Sequence, residues 1–110
     1  MKSNYPTKFK FGHITYKIYY VSPEDKLLSG KMEMTIDGMS SQSQGLIVVS
    51  DNEIYTEEYK KLILLHEIIH IILTAHATVV KNNPEDVIDS LAYGLIQAWR
   101  ENPWMREFFL

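Results

Sequence analysis

Residues 62–77 form the most apolar run in the chain, and His66, Glu67, His70 and His76 interrupt it. The run is shorter than the roughly 20 residues of a membrane span and longer than an ordinary strand. It therefore reads as a helix around which the rest of the fold must be built. Thr56 supplies an N-cap, and Glu57 and Glu58 in the first turn suit the positive end of the helix dipole. A helix that is apolar on nearly every side needs covering layers from elsewhere in the chain.

The flanking segments can provide those layers. Over residues 9–21 the side chains alternate, with Ile14, Tyr16, Ile18 and Tyr20 on one face and Thr15, Lys17 and Tyr19 on the other. Gly12 breaks the pattern, and a Gly-first two-residue turn predicts a β-hairpin. Ser22-Pro23-Glu24-Asp25 offers a cap, a first-turn proline and first-turn acids, which predicts a short helix closing at Gly30. Met32, Met34 and Ile36 alternate again; a polar loop follows over residues 38–44, then the β-branched run Leu46-Ile47-Val48-Val49. These predict a second strand pair.

Asn82-Asn83-Pro84 breaks the chain and opens a second helix running to about Arg100, with Asn83 as cap. Its positions Ile88, Leu91, Ala92, Leu95, Ile96 and Trp99 recur at helical spacing and predict one inward stripe. Asn102-Pro103 ends it, and the aromatic tail 104–110 should fold back on the body. The expected architecture is α+β: one domain over 1–110, an antiparallel sheet of about four strands on two main helices, and the apolar helix at the centre.

With 110 residues the chain can bury a core without disulfides. It has no cysteine, so a disulfide framework and thiolate zinc sites are excluded and a metal would need histidine and carboxylate ligands. Residues 1–12 alternate lysines with aromatics and lack the apolar core of a secretory signal, which points to the cytoplasm. A formal charge of −3 without a basic cluster argues against nucleic acid as a partner. The same run that is too short to span a bilayer argues against a membrane protein.

The chemistry lies in His66-Glu67-Ile68-Ile69-His70. Four residues apart on a helix, the two histidines share one face and can bind one ion. Glu67 lies about 100° around the axis, placed to reach a metal-activated water as general base without being a ligand. Zinc in such a site lowers the pKa of water to about 7, which makes amide hydrolysis feasible. The alternative is that these are incidental polar residues on a core helix. Against it stands the cost of burying ionisable groups without a partner.

A catalytic zinc site takes three protein ligands. One candidate for the third is Glu85 in the opening turn of the second helix, with Asp89 one turn on to accept a hydrogen bond from a ligand histidine. The bland account is that acids favour a helix N-terminus. The other candidate is His76, which has the histidine spacing of the longer metzincin motif. Leu73, however, stands where that motif has glycine for a left-handed turn, so the helix should continue and carry His76 away. Tyr93 falls near the face of Glu85 and is a candidate oxyanion stabiliser, with core packing as the alternative. His13 reads as a surface turn residue.

His66-Glu67-Ile68-Ile69-His70 followed by Glu85-Asp86-Val87-Ile88-Asp89-Ser90-Leu91-Ala92 resembles the gluzincin class. Leu64-Leu65, Leu91-Ala92 and Asn102-Pro103 look more closely like small metallopeptidase-like proteins of bacteriophages and mobile elements, over residues 45–103. The resemblance implies a zincin-like domain with His66, His70 and Glu85 as zinc ligands, Glu67 as general base and Asp89 as the acid bonded to a ligand histidine. It also implies a peptide or protein substrate, such as a regulator in the same cell, lying along the strand over residues 46–50 as an edge. The large second lobe of thermolysin-like enzymes has no counterpart here. A peptide-binding or adaptor domain with little turnover, and a structural polar network, are the competing readings.

Overall fold

The computed structural model describes residues 4–25, 37–75 and 84–110. Strands β1 (Lys8–Phe11), β2 (Ile14–Val21), β3 (Gly38–Ser41) and β4 (Leu46–Ser50) form one sheet, and helices α1 (Glu57–Ala75), α2 (Pro84–Glu101) and α3 (Trp104–Phe109) pack with it. The fold is α+β, as the sequence implies.

The β1–β2 hairpin turns on Gly12-His13, with Phe11 opposite Ile14. Gly12 has φ +66°, a region where L side chains are strained, so glycine is the residue that makes this short turn. Tyr16 and Ile18 point into the core while Thr15, Lys17 and Tyr19 face out, as the alternation predicts.

Two features of the sheet differ from expectation. Its order is β1-β2-β4-β3, and β2 pairs with β4 in parallel, so the sheet is mixed. The chain leaves β2, forms β3 on the outside, and returns antiparallel through β4 into the gap between them. Consequently β4 is an interior strand with Ile47, Val48 and Val49 fully buried, not an edge. The second difference is that β3, expected as polar loop, is a strand. Gly38-Met39-Ser40-Ser41 has little strand propensity of its own, and pairing with β4 overrides it. The short helix expected toward Gly30 and the strand at Met32, Met34 and Ile36 lie outside the described residues, except for a turn in which the Asp25 N–H donates to Ser22 O at 3.0 Å.

α1 begins as predicted: the Thr56 hydroxyl accepts from the Tyr59 N–H at 3.1 Å. Ile63, Leu64, Ile68, Ile71 and Ile72 bury its inner face against Phe9, Phe11, Tyr16, Ile18, Ile47 and Val49. Among the described residues no helix is long and apolar enough to cross a membrane.

α2 packs by a different face than its apolar periodicity implies. Its buried positions are Ser90, Gly94 and Ala98, a row of small residues at i, i+4 and i+8 that brings it close to α1. Leu91 and Leu95 flank the contact, but Ile88, Ile96 and Trp99 are exposed. A large side chain on the contact row would push the two helices apart, so packing selects the small ones.

The tail folds back as expected. Met105 and Phe108 are buried, and Tyr5 meets Phe108 edge-on at 5.3 Å. Asn102 does more than end α2. Its buried amide accepts from the Lys10 N–H at 2.7 Å and donates to Lys10 O at 2.6 Å and Ala98 O at 2.9 Å. One side chain thus pairs with the outer edge of β1 as a further strand would, satisfying backbone groups the sheet leaves open.

Candidate metal centre

The outer face of α1 carries the two histidines one turn apart, and their rings meet edge-on with centroids 4.7 Å apart. The Nε2 atoms approach to 3.1 Å. Two nitrogens bound to one tetrahedral zinc at about 2.0–2.1 Å stand roughly 3.3 Å apart, so this pair has the spacing to share an ion. Two neutral rings can also hold that distance as donor and acceptor of one hydrogen bond.

Glu67, the next residue on the helix, turns inward and is 5 % exposed. Burial pushes its carboxyl above the usual range, while a hydrogen bond from Ser40 and the nearby His70 and His66 work the other way. Ser40 and Gly38 lie on β3, so the unexpected strand forms a wall of the site. A Cβ at Gly38 would stand 2.9 Å from Ile63 Cγ2 and 3.1 Å from Glu67 Oε2. Only glycine leaves room for the carboxylate to lie against the sheet.

The expected burial of all three ionisable groups is corrected here. His66 and His70 are exposed and only Glu67 is buried, because its position lies on the sheet-facing side of the helix. The desolvation argument for a metal therefore applies to Glu67 alone.

Glu85 and Asp89 occupy the first two turns of α2 and are exposed. Among the described residues no three His, Cys, Asp or Glu side chains gather into a group able to hold one ion. α1 runs on through Leu73 to Ala75 without a left-handed turn, as glycine's absence there implies, and His76 lies outside the described residues. Tyr93 is 74 % exposed, so it does not pack in the core. His13 is an exposed turn residue, as expected.

A cleft of about 320 Å³ opens beside His66, lined also by Asp37, Gly38, Tyr59, Leu62, Ile63 and Glu67. One feature of it escaped the sequence reading. Asp37 accepts from the Tyr55 hydroxyl at 2.6 Å through Oδ1 and from the Tyr59 hydroxyl at 2.7 Å through Oδ2. Both phenols are held above their usual range, first by these hydrogen bonds to a carboxylate. No local spacing connects Asp37 to residues 18 and 22 positions away; a Tyr-x-x-x-Tyr pair at the start of α1 was the only available signal.

Chemically, the arrangement offers two convergent imidazole nitrogens, a buried carboxylate beside them and an open cleft on the same side. Comparison with protein-family models, curated proteins and solved structures returns no match.

Proposed function

We propose that this protein is a zinc-dependent hydrolase of gluzincin type, a peptidase acting on a peptide or protein substrate in the cytoplasm. The observation that supports it most is the 3.1 Å approach of His66 and His70 Nε2 next to a buried carboxylate at the edge of a cleft. In this reading His66 and His70 hold the ion, with Glu85 as third ligand and Asp89 behind a ligand histidine, as the motif resemblance implies.

When bound, zinc would supply a water acidified to about pKa 7 and a Lewis acid for the substrate carbonyl. Glu67 takes a proton from the attacking water on a carboxylate oxygen and delivers it to the departing amine nitrogen. Ser40 fixes the carboxylate's orientation, and Gly38 leaves the space it occupies.

The test is digestion of a mixed peptide library, read by mass spectrometry. Wild-type protein supplied with zinc should cleave, and Glu67→Gln should lose at least about a hundredfold in rate while retaining the metal. Equal cleavage by both would remove Glu67 from the mechanism. A binding domain without turnover is the second reading.

A further inference from the structure

We propose that Asp37 is a binding subsite for a cationic group, and that the cleft takes a peptide presenting a lysine or arginine side chain there. The inference rests on the peptidase reading for the class of ligand, and on its own geometry for the charge.

Asp37 lines the same cleft as His66 and Glu67. Its two carboxylate oxygens each accept one tyrosine hydroxyl, which fixes the group in orientation. A carboxylate offers about four acceptor positions, so with its described partners each oxygen keeps a lone pair for an incoming N–H. The neighbouring lysines are committed elsewhere: Lys60 Nζ lies 2.8 Å from Asp51, and Lys61 Nζ lies over the Phe108 ring. Among the described residues no lysine or arginine lines the cleft. Among these residues its wall therefore holds a carboxylate and no lysine or arginine to pair with it.

The apolar lining fits the rest of such a side chain. Leu62 is 57 % exposed at the cleft, and Ile63 and the half-open Tyr59 ring stand beside it. A lysine or arginine stem can cover Leu62 while its charged end reaches Asp37, and the Tyr59 face offers an additional cation–π contact. An acidic side chain in this subsite would face the Asp37 carboxylate and be repelled.

The test measures binding apart from turnover. Blocked, fluorescein-labelled seven-residue peptides of glycine and alanine carry lysine, arginine, norleucine or glutamate at the central position. They are titrated by anisotropy at low salt against zinc-supplied Glu67→Gln protein, with and without Asp37→Asn. We expect lysine and arginine peptides to bind about tenfold more tightly than norleucine, glutamate to bind weakest, and Asp37→Asn to erase the difference. Equal binding of all four, a preference that survives Asp37→Asn, or no binding by any peptide overturns the subsite. Should Asp37→Asn lose the fold, lysine is compared with Nε-acetyl-lysine on the parent protein, where equal binding overturns it too. Zinc content of the same samples reports separately on the hydrolase: charge preference without zinc retains the subsite and removes the peptidase, and zinc without preference does the reverse.

Discussion

Gly94→Ala should destabilise the protein even though alanine is the better helix former. An added Cβ would stand 2.1 Å from Ile72 Cγ2 and 3.2 Å from Ile72 Cβ and Cγ1, where carbon atoms rest at about 3.5–4.0 Å. Ile72 is fully buried, and its Cγ2 moves only with χ1, which a helix confines to one favoured rotamer. Relief requires α1 and α2 to separate. Overpacking of this kind costs about 1–3 kcal/mol, and the closeness of the contact argues for the upper end. Helix propensity returns about 1 kcal/mol, leaving a net loss of about 2 kcal/mol. For a chain of this size that is a fall in Tm of roughly 8 °C or more. The assay is urea and thermal unfolding by circular dichroism, in the native and the Ile72→Ala backgrounds. With Ile72 truncated the 2.1 Å contact disappears and only the 3.2 Å approach to its Cβ remains, so Gly94→Ala should there cost much less than in the native background. Equal destabilisation in both backgrounds, or stabilisation in the native one, would refute the close approach of the two helices at this point.

Three further outcomes follow from the same geometry. Asn102→Ala removes two hydrogen bonds that tie the end of α2 to β1 and a third to Ala98 O of α2 itself, and should cost about 1–3 kcal/mol in denaturant unfolding. Gly38→Ala forces Ile63 or Glu67 to move; peptide hydrolysis should fall by more than metal content, as separate measurements of the two will show. Tyr55 and Tyr59 are raised by Asp37, so the stabilising hydrogen bonds are present below the ordinary tyrosine pKa and are lost as pH rises through the raised folded values. Alkaline spectrophotometric titration should show two tyrosines ionising earlier in Asp37→Asn than in wild type.

Local rules carried the reading of the hairpin, of Thr56 as cap, of the helix through residues 57–75 and of the returning tail, because each depends on neighbours in sequence. The parallel pairing of β2 with β4 depends on a crossover that no local pattern records. β3 is made by its partner rather than by Gly38-Met39-Ser40-Ser41. α2 misled for a clear reason: periodicity marks where large apolar residues fall, whereas close helix packing selects Ser90, Gly94 and Ala98. At the site, the i, i+4 rule brought His66 and His70 together and set Glu67 on the neighbouring face. Which of the three is buried depends on the sheet beneath. Asp37 and Gly38 entered the site only through long-range folding.

Whether His66 and His70 share a zinc ion is decided by the metal content of the protein. Protein purified without chelator or added metal should carry close to one zinc per chain by elemental analysis. Content should fall sharply in His70→Ala and in Glu85→Ala, and hold in Glu67→Gln and His76→Ala. Loss with His76→Ala instead of Glu85→Ala would move the third ligand to His76. Wild-type protein that carries no metal, and takes up none when zinc is supplied, would contradict the account and leave the histidine pair a hydrogen-bonded feature of the helix surface.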